Sequence, residues 1–267
     1  MPSEKRQRQD EGRLLRLEEQ RAATQKVQRK RQFRGIAIII IVIVAIAGVI
    51  AIFSADDADD VDTAADGTST TTTAPPAGDP AIGTTPCPPA EGTAERTTTF
   101  ESGPEACIDP AGSYTATFTT SKGDFTVELR PDLAPKAVNS FVFLARNHYY
   151  DGTVFHRIIP GFVVQGGDPT GGGSGGPGYT FEDELPTEGP PFYDVGSLAM
   201  ANSGPDSNGS QFYVVTGQQG IDLPADYSLF GQVTKGMETV RAIEATGTPE
   251  GTPSAATTLE SVTVTEG

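Results

Sequence analysis

Arg157 and Gln165 sit in FHRIIPGFVVQGGD, residues 155–168, an otherwise apolar run that reads as buried strand. An unpaired guanidinium in apolar surroundings is costly, and the stretch offers no carboxylate before Asp168. The reason for that charge must therefore come from the rest of the chain. Other reactive patterns are incomplete. GGGSGG, residues 171–176, formally satisfies G-x-G-x-x-G, but Pro177-Gly178 and an acidic segment follow it where a helix should start. It reads as a flexible loop and not as a dinucleotide site. The one formal G-x-S-x-G match, residues 172–176, lies within that glycine run and not on a strand-to-helix elbow, so a Ser-His-Asp hydrolase is not indicated. His148 and His156 are the only histidines, and the two cysteines lie far off in another segment, so no metal set forms. No metal or cofactor is expected. Asn208-Gly209-Ser210 matches a glycosylation acceptor, but it abuts a strand-like run and reads as a tight turn.

Two further stretches carry equally unusual residue choices: GSLAMANSGPDSNGSQFYVV (196–215) and LPADYSLFGQV (223–233). The elements around them are short. YTATFTT and FTVELR alternate apolar and polar residues about SKGD, which predicts a β-hairpin. PKAVNSFVFLARN spaces Val138, Phe141, Val142 and Ala145 as a helix does, with Pro135 suited to its first turn. Strand-like runs follow at TVFHRI, GFVVQ, GSLAM, QFYVVT, LFGQVT and LESVTVT, and a second helix is predicted at GMETVRAIEA. Many short strands with two helices indicate a mainly β fold, a closed antiparallel barrel whose openings the helices cover.

With FHRIIPGFVVQGGD, SLAMANSGP and NGSQFY in this order, the chain closely resembles the cyclophilin family of peptidyl-prolyl cis–trans isomerases over about residues 113–265. The resemblance implies an eight-stranded barrel capped by two α-helices and catalysis of rotation about X-Pro bonds. It also implies roles. Arg157 would donate to the prolyl nitrogen as the amide twists, and Gln165 would hold the guanidinium and the substrate backbone. Phe162, Val163, Tyr213 and Leu223 would line the proline pocket. Ala201, Asn202 and Gln211 would contact the residues before proline, Asn202 mainly through its backbone, and Tyr227 stands where many members have histidine. Several positions depart from the usual pattern: Val163 for methionine, Tyr213 for phenylalanine and Ser203 for alanine. No tryptophan is present, so the indole that helps many members grip cyclosporin is missing and weakened binding of that inhibitor is expected.

The rest of the chain sets the context. The net charge of −16 divides unevenly: residues 1–34 carry eleven Lys/Arg against five Asp/Glu, and the remainder carries eight against thirty. An acidic body argues against nucleic acid as a partner, since phosphates are bound through Lys and Arg. Residues 1–34 form a basic segment rich in helix formers. GIAIIIIVIVAIAGVIAIF, residues 35–53, has no polar side chain and is long enough for a transmembrane helix. Its large flanking residues and long basic leader argue against a cleaved signal peptide. The basic flank places the N-terminus in the cytoplasm and the body outside, in a single-pass cell-membrane protein.

Residues 54–112 read as an acidic, Thr/Pro-rich disordered linker, and 113–267 as the isomerase domain. Cys87 and Cys107, the only cysteines, lie in the linker. The outside location favours a disulfide between them over idle thiols, and the missing C-x-x-C spacing argues against a redox pair. The cysteine-bearing segment also resembles, more weakly, the extension of actinobacterial membrane-linked members. The expected partners are proline-containing polypeptides, exported proteins as they fold. The alternative is a proline-segment binding chaperone or scaffold with little turnover.

Overall fold

The computed structural model describes residues 79–187 and 192–267, all within the unit that spans Thr72–Gly267. The basic segment 1–34, the apolar run 35–53 and the first part of the expected linker lie outside the described residues. Among the described residues no helix is long and apolar enough to cross a membrane.

The strands are β1 (Tyr114–Thr120), β2 (Gly123–Leu129), β3 (Thr153–Val154), β4 (Arg157–Ile159), β5 (Val163–Gly166), β6 (Ser197–Met200), β7 (Phe212–Val215), β8 (Leu229–Lys235) and β9 (Thr258–Glu266). The helices are α1 (Pro135–Arg146), the single turn α2 (Gln218–Ile221) and α3 (Met237–Glu244). All ladders are antiparallel, and they join the strands in the order β3-β9-β1-β2-β8-β6-β7-β5-β4.

This corrects the expected closed eight-stranded barrel. The predicted strand TVFHRI breaks at Phe155-His156: Thr153–Val154 pair with β9, whereas Arg157–Ile159 pair with β5. The two ends of the nine-strand sheet are thus consecutive in the chain, and a two-residue corner, with no ladder between them, brings the ends together. Phe155 at that corner is buried and donates its N–H to Thr257 O at 3.1 Å, so the break satisfies its backbone.

Inside the sheet sits one large core. Phe118 stacks on Phe125 at 4.5 Å between ring centroids, and Phe141 of α1 packs against Phe118, Phe212 and Phe230. Pro135 opens α1, whose free first-turn N–H groups find a remote acceptor: both Glu184 carboxylate oxygens accept, from Lys136 N and Ala137 N, each at 2.9 Å.

Residues 79–112 do not behave as the linker their composition suggested. Asn139, fully buried on α1, donates to Pro80 O and Glu105 O at 2.9 Å and accepts from Cys107 N at 2.8 Å. Arg96 donates to the carbonyls of His148 and Tyr149 just beyond α1. Phe100 packs edge-on to Phe143 at 4.8 Å, and Cys87 and Cys107 form a disulfide. The segment is therefore a strap bound over the helix. A compositional window misses it because the docking uses backbone carbonyls and a few side chains, and not a long apolar run.

Candidate active site

Strand alternation decides which residues face the site. Along β4, β5 and β7, Ile158, Val164, Phe212 and Val214 point into the main core. Their neighbours Val163, Tyr213 and Val215 point the other way, into a second small apolar cluster with Tyr193 and Ala199. Both faces of these strands are covered, which is why FHRIIPGFVVQGGD lacks a polar face. Register then aligns the polar members. Arg157 lies opposite Gln165, and Gln165 lies opposite Tyr213.

On that second face is a cavity of about 140 Å³. Phe162, Val163, Tyr213 and Leu223 give it apolar walls, and Tyr227 closes one side. Arg157, Gln165, Ala201 and Asn202 complete the lining. Nine of the ten residues expected at the site by resemblance thus meet in one place. The tenth, Gln211, lines an adjoining cavity of about 620 Å³ that shares Gln165, Ala201 and Asn202 with the first.

The guanidinium is held without an ion pair among the described residues. Arg157 Nη1 donates to Gln165 Oε1 at 3.3 Å, and Arg157 Cζ lies 5.4 Å from the centre of the Phe162 ring. Such a cation–aromatic contact supports the charge without occupying its other donors. Next to it His156 buries both ring nitrogens without a hydrogen-bond partner among the described residues. Burial pushes its imidazole below the ordinary value, against the opposing pull of Asp168. The charged form of His156 is therefore disfavoured beside Arg157.

Several supporting residues went unassigned in the sequence reading. Tyr193 fixes Tyr227: its hydroxyl donates to Tyr227 O at 2.8 Å and accepts from Tyr227 N at 3.2 Å. The Asn202 amide donates to Asp226 O at 2.9 Å and Asp183 Oδ1 at 3.3 Å. The GGGSGG segment, expected to be flexible, is tied down. Gly173 and Gly175 donate their N–H groups to Asp168 Oδ2, at 2.6 and 3.0 Å, and both their carbonyls accept from Gln211 Nε2. A Cβ on Gly175 would stand 2.1 Å from Asp168 Oδ1, and Gly173 has φ +85°, so side chains are excluded there by space and by backbone. The signal was present in the sequence. A buried-looking aspartate just ahead of a run of bare backbone N–H groups supplies the acceptor that run lacks.

Comparison with known proteins agrees with this geometry. The family model "Cyclophilin type peptidyl-prolyl cis-trans isomerase/CLD" matches residues 115–264. A Staphylococcus epidermidis protein whose name carries peptidyl-prolyl cis-trans isomerase is 47% identical over 137 residues, 50% of this chain and 66% of that protein. Peptidyl-prolyl cis-trans isomerase A of Mycobacterium tuberculosis is 40% identical over 173 residues, 58% of this chain and 94% of that one. The chain thus spans just under two thirds of the staphylococcal relative and nearly all of the mycobacterial one. Among solved structures, a cyclophilin-type isomerase of Cryptosporidium parvum is 33% identical with a TM-score of 0.54, covering 57% of this chain and 98% of that one. The same protein was also solved in the presence of the dipeptide Ala-Pro. Through residues 115–264, the chain belongs to the cyclophilin-type peptidyl-prolyl cis–trans isomerase family.

Proposed function

We propose that the chain is a peptidyl-prolyl cis–trans isomerase that acts on exported polypeptides from a membrane tether. The observation that carries this reading is the small apolar cavity with a single guanidinium in its wall. Resonance sets a barrier of about 18–20 kcal/mol to rotation about a peptide bond. At the twisted transition state the prolyl nitrogen loses conjugation and regains a lone pair. A donor aimed at that nitrogen favours the twisted state over both planar ones, which is what lowers a barrier. Arg157 stays protonated and offers several rigidly placed donors, so no bond other than the rotating one needs to change. Phe162, Val163, Tyr213 and Leu223 receive the proline ring and keep water from the guanidinium. The Asn202 side chain is already engaged within the protein, which leaves its backbone for the substrate.

The apolar run 35–53 serves as the membrane span, with the basic segment inside and the acidic body outside. The strap with its disulfide supports a place in an oxidising compartment and suits a membrane-linked, actinobacterial-like member. Without the indole, cyclosporin binds weakly.

Exchange NMR on a short X-Pro peptide tests the activity, with Arg157→Ala as the control. Catalysis by the wild type and a loss of roughly a hundredfold in the variant are expected, the size of one lost charge-assisted donor at a transition state. Equal slowness of the two proteins would refute this reading and leave a module that grips proline segments without turnover.

A further inference from the structure

Among the described residues Arg157 has no carboxylate beside it, yet a line of hydrogen bonds leads from it to one. Its Nη1 donates to Gln165 Oε1 at 3.3 Å, and Gln165 Nε2 donates to Gln211 Oε1 at 3.1 Å. Gln211 Nε2 donates to the carbonyls of Gly173 and Gly175, at 3.1 and 3.0 Å. The N–H groups of the same two glycines donate to Asp168 Oδ2. Every link runs in one sense, from guanidinium to carboxylate.

That sense follows from chemistry. A glutamine amide can be turned either way, but Gln211 meets two carbonyls of the loop, which can only accept. Its NH₂ must therefore face the loop and its oxygen must face Gln165. The Gln165 oxygen is then left toward Arg157, whereas the reverse orientation would set N–H against N–H. Asp168 itself is fully buried, and its other oxygen accepts from Thr170 N and Oγ1 at 2.7 and 2.8 Å. The loop is thus fixed to the carboxylate on one side and to Gln211 on the other.

We infer that Asp168 is a positioning residue for Arg157 and its remote counter-charge: it sets the Gly171–Gly176 loop, the loop orients Gln211, and Gln211 orients Gln165 and the guanidinium. The inference rests on the proposed role of Arg157 for its catalytic consequence, but its first readout needs no substrate.

Nitrogen-15 NMR of the Arg157 guanidinium in the free protein reports how fast its N–H groups rotate and exchange with water. Asp168→Asn is expected to speed both several-fold. In exchange NMR on an X-Pro peptide it should lower kcat about tenfold with KM within a factor of about two, as a misplaced donor would. Gln211→Met cuts the line in the middle and leaves the loop on Asp168; it should loosen the guanidinium equally. The double variant should be no worse than the worse single one, because links in series fail once, whereas independent effects would add.

A native guanidinium signal in folded Asp168→Asn overturns the inference, and so do additive losses in the double variant. Should Asp168→Asn fail to fold, Gln211→Met decides: an unchanged guanidinium signal there overturns the inference. An inactive wild type would count against the isomerase reading and leave the guanidinium readout intact.

Discussion

Reduction of the Cys87–Cys107 bond tests whether the strap unfolds with the barrel. The bond joins residues 20 apart, and on the chain-entropy account closing such a loop restricts the unfolded chain by about 3 kcal/mol. The folded domain gains that stability only if strap and barrel come apart together. Three independent attachments argue that they do: the Asn139 bonds to Pro80, Glu105 and Cys107, the Arg96 bonds beyond α1, and Phe100 against Phe143. For a unit the size of residues 79–267 the unfolding entropy is on the order of 0.4 kcal/mol/K, so losing about 3 kcal/mol lowers Tm by about 8 °C. Calorimetry with and without reductant measures the shift, with Cys87→Ser/Cys107→Ser as the control. Isomerase activity at room temperature should survive, because no strap residue lines the smaller cavity. A shift below about 2 °C would refute the cooperative strap, as would two free thiols in the native protein. Lost activity in a reduced but folded protein would show that strap and site are coupled.

Tyr213→Phe should stabilise the protein. The Tyr213 hydroxyl is buried without a hydrogen-bond partner among the described residues, and removing it relieves about 1–3 kcal/mol, a rise of several degrees in a thermal melt; a fall would mean that the hydroxyl is satisfied. Acid should weaken the fold through Asp168. Burial works to raise its pKa, but the donors from Gly175, Thr170 and Gly173 outweigh burial and leave it below the usual carboxylate range. Its contribution is complete above the unfolded value of about 3.9 and is lost as pH falls through the lower folded value. The Asp168 carboxylate raises the pKa of both titratable neighbours, His156 and Tyr149, and Tyr149, pushed up to about 12 mainly by burial, stays neutral throughout this range. The stability difference between wild type and Asp168→Asn should therefore shrink below about pH 4, and a constant gap in acid denaturation would contradict this. Cyclosporin should inhibit only weakly; tight inhibition would show that the missing indole is replaced by another contact.

Much of the fold is local and could be read directly. The alternation of YTATFTT and FTVELR sets the first hairpin, and the spacing of Val138, Phe141, Val142 and Ala145 sets α1, because side-chain period follows from backbone geometry alone. The composition of the strap did not mark it as folded. The signal lay instead on its receptor: Asn139 and Ser140 sit among the apolar residues of α1 and are fully buried, and a buried amide requires partners. TVFHRI has one strand's pattern but serves two ladders, and nothing local in six residues marks the corner.

By itself the sequence determined the residue types of the site and their order along the chain: one guanidinium, two glutamines and a set of apolar and aromatic residues within recognisable motifs. Only the tertiary structure decided how they meet. Arg157, Gln165 and Tyr213 become neighbours through the register of β4, β5 and β7, and register depends on pairing between strands distant in sequence. The direction of the hydrogen bonds from Arg157 to Asp168 was likewise beyond the sequence. It depends on which way two amides turn, and the carbonyls of a loop settle that only once the loop has closed upon them.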